Sequence, residues 1–293
     1  SFEKNKIQDF IRNSLKDDSL ELEIGMFSKY YKVTKTDFIN LIKKLKGLGL
    51  QQEKSNNEYI LDVFFEKENN IRMSVHGDKN INKYCNSNSI KDIKENIEFI
   101  EKKRFSISGR EVKPLELRDY NLRINLKSEK NLGPKTKIVQ SISNRMNNLG
   151  KTYRYKKRFS FISSDKLFRF DITLVKNSSV EEIINEKRKV TKKEVDSKMK
   201  TLVIKPRNVE FNDWWNSLDN DATVNLREDK FIHKYYFKNL KESDTLTNEI
   251  NYEIELEFIG NKNTSSIEGE TIKDKEKHIY EKLCENLRIL LQY

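Results

Sequence analysis

The sequence predicts an α+β protein: a closed antiparallel β-barrel of about eight strands, with a polar interior and helices packed outside. Three observations predict it. Several short segments alternate strictly between apolar and charged residues, as half-buried strands do. The charged faces of these segments are segregated by sign, some acidic and one basic. Between them lie stripes of apolar residues at helical spacing.

The 293 residues carry 16 Phe and 12 Tyr, although hydrophobic residues make up only 35%. Aromatic side chains bury much area each, so a core is attainable and wholesale disorder is excluded. The three prolines and nine glycines mark no linker, and there is no internal repeat. Residues 1–293 therefore read as a single domain. Cys85 and Cys284 are far apart and form no disulfide framework or zinc spacing, and His76, His233 and His278 do not cluster. With no signal peptide and no apolar run of membrane length, the expectation is a soluble, intracellular protein in a reducing compartment. The net charge of +11 favours polyanionic partners without naming one.

The elements follow in order. Phe2, Ile7, Phe10, Ile11 and Leu15 recur at helical spacing. Leu20-Glu21-Leu22-Glu23-Ile24 alternates as a strand. A second helix follows Thr36, with Phe38, Leu41, Ile42, Leu45 and Leu48 as its stripe and Gly47 and Gly49 at its end. Residues 58–66 and 71–76 read as two strands, joined by a hairpin turn at Glu68-Asn69-Asn70. Ser89 and Asp92 form a candidate capping box opening a third helix with Ile90, Ile93, Ile97 and Ile100 on one face. Residues 121–127 alternate again. Pro134 opens a fourth helix carrying Val139, Ile142, Met146 and Leu149. Residues 153–163 and 168–175 are strands joined by Ser164-Asp165-Lys166. Residues 180–200 read as helical, and 202–204 and 231–237 as short strands. Residues 252–258 form the clearest strand, and Ile279, Leu283, Leu287, Leu290 and Leu291 lie along a closing helix.

Side chains at i and i+2 of a strand point the same way. Glu21 and Glu23 share a face, as do Glu253, Glu255 and Glu257. Arg154, Lys156 and Arg158 share another; so do Arg169, Asp171 and Thr173, and Arg123, Asn125 and Lys127. Taken singly, each is an ordinary solvated sheet face. Taken together, like charges placed side by side need a partner other than water. A barrel interior supplies one: carboxylates gathered there call for a hard divalent cation, Mg²⁺ or Mn²⁺, and gathered Arg and Lys call for phosphate. Carboxylates, a divalent ion and a basic cradle make a phosphoryl-transfer site.

These strands resemble the RNA triphosphatase domain of mRNA-capping enzymes from large DNA viruses, giant viruses among them, within the triphosphate tunnel metalloenzyme superfamily. Leu20-Glu21-Leu22-Glu23-Ile24 is similar to that family's first Glu-x-Glu motif and Tyr252-Glu253-Ile254-Glu255-Leu256-Glu257 to its second. Tyr153-Arg154-Tyr155-Lys156-Lys157-Arg158 resembles its basic strand and Arg169-Phe170-Asp171-Ile172-Thr173 its Asp strand. The resemblance runs from about residue 20 to 258 and implies an eight-stranded tunnel hydrolysing the γ-phosphate of 5′-triphosphate RNA, the first step of capping. It implies Glu21, Glu23, Glu255 and Glu257 as ligands of Mn²⁺ or Mg²⁺, and Lys156 and Arg158 as the triphosphate grip. Arg154, Arg169, Asp171, Arg123, Lys127, Arg72 and Glu253 are implied as tunnel residues, Asp171 orienting a basic side chain or a water. It also implies a viral protein of the cytoplasmic factory or virion.

Two departures stand out. The spacing from the Asp strand to the last Glu strand is long, so residues about 180–249 read as an insertion. Its Trp214-Trp215 pair is either an RNA-stacking element or a local core. No Lys-x-Asp-Gly motif occurs, so a guanylyltransferase partner would be a downstream domain or a separate protein. Competing readings are hydrolysis of small triphosphates or free NTPs in the same tunnel, polyphosphate synthesis there, and a non-catalytic RNA-binding module.

Overall fold

The strands alternate because each has one face for apolar packing and one for ions, and closing them into a ring puts the ionic faces inside. The computed structural model describes residues 2–26, 32–54, 58–178, 189–193, 202–206, 209–225, 231–262 and 267–292. Its centre is eight antiparallel strands: β1 (Leu20–Met26), β2 (Tyr59–Phe65), β3 (Glu68–His76), β4 (Ile97–Arg104), β5 (Leu122–Leu132), β6 (Lys151–Ile162), β7 (Phe168–Asn177) and β8 (Ile250–Phe258). Neighbours run β1-β8-β7-β6-β2-β3-β4-β5, and β5 pairs with β1 to close the ring. Two short strands, Gln51–Gln52 and Leu115–Leu117, attach to β6 and β5.

Around the ring pack α1 (Phe2–Lys16), α2 (Lys35–Gly47), α3 (Asp78–Ser87), α4 (Lys137–Arg145) and, after the short helix α5 (Val209–Ser217), the closing helix α6 (Ile272–Leu291). The hydrophobic core thus lies outside the barrel, in two clusters. One joins α1, α2 and α6 to the outer faces of β1, β5, β7 and β8, with Leu22, Ile24, Phe170, Ile172 and Leu256 fully buried. The other joins α3 and α4 to β2, β3 and β4 through Leu61, Val63, Met73, Val75 and Ile142. A buried Phe or Ile of this kind contributes roughly 1.5–3 kcal/mol, enough to offset the cost of a charged interior only when summed over both clusters.

Capping boxes fix two helix starts. Thr34 Oγ1 accepts from Asp37 N–H while Asp37 accepts from Thr34 N–H, and Thr271 and Asp274 repeat the arrangement on α6. α1 and α6 are clamped by Arg12, which donates to both oxygens of the buried Glu276 at 2.9 and 3.0 Å.

The structure corrects four sequence expectations. The third helix does not follow Ser89. It ends at Ser87 with Asn88 left-handed at φ 51°, and residues 97–104 form strand β4. Ile90, Ile93, Ile97 and Ile100 mimic a helical stripe, but Asn96 at φ 63° breaks the run and Phe99 and Ile100 pack within a strand. The β2–β3 turn falls at Glu66-Lys67, earlier than Glu68-Asn69-Asn70, because Lys67 takes the left-handed conformation at φ 66°. The fourth helix starts at Lys137 rather than at Pro134, with Thr136 at its N-cap. In 180–200 the described segment Lys189–Thr191 is a strand, paired with Thr223–Asn225, and the remaining stretch lies largely outside the described residues. The short strands expected near 202–204 and 231–237 exist as a pair, Leu202–Pro206 with Phe231–Tyr235.

Candidate active site

Strand register places the interior side chains in tiers. Glu23 of β1 is opposite Glu257 of β8, and Gly25 is opposite Glu255. Across β8 and β7, Glu257 faces Arg169, Glu255 faces Asp171 and Glu253 faces Thr173. Across β7 and β6, Thr173 faces Arg158 and Asp171 faces Ser160. Arg154 faces Asp62, Asp62 faces Ser74 and Phe64 faces Arg72.

The interior ions pair in a network. Lys102 Nζ stands 2.5 Å from Glu23, 3.1 Å from Glu21 and 3.5 Å from Glu129. Lys127 Nζ is 3.3 Å from the other Glu23 oxygen. Asp171 accepts from Ser160 Oγ at 2.6 Å and from Arg169 at 2.9 and 3.0 Å, and Arg169 also reaches Glu257. Arg154 pairs with Glu253 at 2.6 Å. Lys156 Nζ lies 2.5 Å from Asp62, which accepts from Ser74 Oγ at 2.7 Å.

Two features of this network would suit an anion. The Nε–H groups of Arg158 and Arg72 are buried and have no hydrogen-bond acceptor among the described residues. Lys156 titrates at about 8: burial lowers it most, and repulsion from Arg158 and Arg72 adds to that against the pull of Asp62. Asp62 is held low at about 2, because Lys156 and Arg72 outweigh its burial. A cation brought this close to neutrality, chiefly by burial, would gain from an added anion.

The carboxylate wall has the opposite character. Burial raises Glu255, with repulsion from Glu23 and Glu253 adding to it, and burial raises Glu257, with Asp171 and Glu23 adding. Burial also pushes Glu21 up against the pull of Lys102. Burial acts on Glu23 too, but Lys102 and Lys127 outweigh it and hold it low. Hard oxygen donors that repel one another on adjacent strands fit a divalent cation. Among the described residues no three His, Cys, Asp or Glu side chains converge on one point as they stand. The Lys102 ammonium occupies the space between Glu21 and Glu23, so a cation there takes the place of that ammonium.

Of the residues expected from sequence, Glu21, Glu23, Glu253, Glu255, Glu257, Arg154, Lys156, Arg158, Arg169, Asp171, Lys127 and Arg72 all come together inside the ring. Arg123 lies towards the rim, where Glu116 accepts from it at 3.1 Å. Three interior residues escaped the sequence reading. Asp62 is a single acid in an apolar run, Lys102 sits in the segment read as helix, and Glu129 lies beyond the 121–127 alternation.

No protein-family model matches the chain, and no curated protein sequence matches it. Solved structures do. The Mimivirus capping enzyme triphosphatase in a triclinic crystal aligns with TM-score 0.55 and 18% identity over 99% of this chain and 97% of that one. The chain has that fold. The RNA triphosphatase domain of a trifunctional mimivirus mRNA capping enzyme aligns at 0.51 and 19%, covering 99% and 98%, and a monoclinic form of the Mimivirus triphosphatase at 0.52 and 18%, covering 100% and 98%. The fold is therefore shared over essentially the whole length, although fewer than one residue in five is the same.

Proposed function

We propose that the protein is a metal-dependent polynucleotide 5′-triphosphatase that hydrolyses the γ-phosphate of triphosphate-ended RNA, the first step of mRNA capping. The observation that carries this reading is the opposition of a buried carboxylate wall on β1 and β8 to a buried cationic wall on β6 with unsatisfied guanidinium donors. The likeness to the mimivirus triphosphatases, at 18–19% identity, supports it through the fold alone. On this reading residues 1–293 are one tunnel domain, with about 180–249 as an insertion.

Glu21, Glu23, Glu255 and Glu257 would hold Mn²⁺ or Mg²⁺, which when bound offsets charge on the γ-phosphate and brings a water to it. Lys156 and Arg158 grip the triphosphate and neutralise the equatorial oxygens as charge develops there. The buried Nε–H groups of Arg158 and Arg72 donate to none of the described residues, so a substrate oxygen reaching them satisfies donors that those residues leave unmet. Asp62 keeps Lys156 charged and points it inward. Asp171 fixes Arg169 in a two-pronged hydrogen bond, and Arg169 in turn holds Glu257 in place. Lys102 holds Glu21 and Glu23 apart from their mutual repulsion until a cation replaces it.

RNA carrying a 5′-triphosphate is the substrate, and a guanylyltransferase acting on the resulting diphosphate end is the expected next partner. The test is release of phosphate from γ-labelled triphosphate RNA, with and without Mn²⁺, beside inorganic triphosphate, thiamine triphosphate and ATP. Metal-dependent release fastest from RNA supports the reading. Faster release from the small molecules moves the substrate to them, and RNA binding with no release under any metal replaces catalysis by binding.

A further inference from the structure

The barrel holds two cavities, one opening at each end, and their electrostatics are opposite. The larger, about 1020 Å³, opens where β1 and β7 end and β6 and β8 begin. Seven Lys and Arg side chains line it against five carboxylates, with Lys32 and Arg154 towards its mouth. The smaller, about 300 Å³, opens at the far end beside the start of β1 and the end of β8. Its lining has four carboxylates, Asp18, Glu21, Glu129 and Glu257, and no lysine or arginine.

A partition of paired side chains lies between them. Lys102 belongs to the larger cavity and reaches Glu23 there, while its other contacts, Glu21 and Glu129, line the smaller one. Arg169 joins Asp171 to Glu257 on the same level. At the large mouth stand both stems of the excursion between β7 and β8: Asn177 on the way out, Asn248 and Glu249 on the way back. Asn248 Nδ2 donates to Asn177 O at 2.7 Å, and Lys176 Nζ donates to Leu246 O at 2.8 Å, tying the stems together at the rim.

We infer that the triphosphate enters, and cleaved phosphate leaves, only through the mouth framed by these stems, and that the acidic mouth is closed to polyanions. This rests on the triphosphatase reading for its substrate. The physical ground is the sign of the field. A triphosphate approaching the acidic end meets a lining of four acidic side chains with no lysine or arginine to receive it, the nearest cations, Lys102 and Arg169, being already engaged by Glu21, Glu129 and Glu257. The same anion approaching the other end meets an excess of cations, seven Lys and Arg against five carboxylates. The terminal phosphate therefore leads inward and stops at the level of Glu23 and Glu255, the carboxylates that line the inner part of the larger cavity, and the rest of an RNA chain stays outside at the rim. Phosphate released there faces repulsion ahead and returns by the way it came.

The experiment places one bulky adduct at each mouth. In a Cys85→Ser, Cys284→Ser background, Asn251→Cys puts a thiol at the large mouth and Asp18→Cys one at the acidic mouth. Each is modified with a long polyethylene-glycol maleimide. Binding of inorganic triphosphate is followed by calorimetry and phosphate release from triphosphate RNA is followed in parallel. The modified Asn251→Cys protein should bind inorganic triphosphate at least about tenfold more weakly than before modification. The modified Asp18→Cys protein should bind within about twofold of its unmodified form. Unchanged binding in the first, or loss in the second, overturns the inference. The binding readout separates the two readings: a parent protein that binds inorganic triphosphate without hydrolysing RNA ends overturns the proposed activity while the mouths are still distinguished.

Discussion

Replacing Asp62 with Asn removes the counter-ion of Lys156 without changing the shape of the side chain. Asp62 is almost fully buried, 2.5 Å from Lys156 Nζ and 2.7 Å from Ser74 Oγ. Its carboxyl is held at about 2 rather than its ordinary 3.8, which contributes roughly 2 kcal/mol of stability. Because the folded value is depressed, that contribution is present above the unfolded pKa and is lost as pH falls through the folded one. The change to Asn forfeits it at neutral pH. Lys156 is left beside Arg158 and Arg72 and can escape by losing its proton. Since it titrates at about 8 in the parent, that escape is cheap at pH 7 and limits the loss rather than adding to it. The expected cost is about 2 kcal/mol, below the roughly 3–5 kcal/mol for breaking a buried pair whose remaining partner stays charged. Urea unfolding at pH 7 reads the stability. Calorimetric titration with inorganic triphosphate between pH 6 and pH 9 reads the charge on Lys156. The variant should bind weakly at pH 7 and recover on acidification, with the midpoint below that of the parent protein. A variant whose binding follows the parental pH profile refutes the claim that Asp62 sets the charge of Lys156.

Other expectations follow from the same interior. In the unaltered protein, triphosphate affinity should fall as pH rises through about 8, because the ammonium of Lys156 is the binding form and Asp62, Arg72 and Arg158 are the charges that face it; a flat calorimetric profile to pH 9 counts against this. Glu23→Ala and Glu255→Ala should each lower phosphate release from triphosphate RNA by at least about 10²-fold, and rates within a few-fold of the parent in both variants would rule out the carboxylate wall. Chelation of divalent ions should abolish release, and Mn²⁺ should restore it in the unaltered protein but not in Glu23→Ala. Lys151 is fully buried and donates to Met146 O and Leu149 O at the end of α4. Lys151→Met strands both carbonyls and should destabilise by about 2–4 kcal/mol in urea, and a change below 1 kcal/mol would show that other donors replace it.

Much of the barrel was readable because each strand has faces of opposite character. Leu22 and Ile24 outside against Glu21 and Glu23 inside, or Ile254 and Leu256 outside against Glu255 and Glu257 inside, leave little doubt about the period. The reading failed where a strand lost that contrast. In residues 97–104 both Phe99 and Ile100 are apolar and buried, one outside and one inside, beside Arg72 and Asn131 of the two adjacent strands. The isoleucine spacing from Ile90 to Ile100 then imitated a helix and hid Lys102. Asp62 was passed over because one acid in YILDVFF makes no pattern; only its ladder with Arg154 and Ser74 gives it meaning. Sign segregation pointed to the site, but which carboxylate meets which cation depends on register between strands far apart in sequence. Trp214 is exposed while Trp215 is buried, so the pair divides between surface and local core.

The inside-out distribution of grease and charge has a consequence for assembly. An antiparallel ladder can slide by one residue with little loss of backbone hydrogen bonds, but such a slide turns every side chain over. Here it would press Glu253, Glu255 and Glu257 into the greasy sleeve of helices and aim Ile254 and Leu256 at the ions. The charges that await the substrate also act as the key by which eight strands find their one alignment, so trimming them too far should yield misthreaded rings before it yields loose ones.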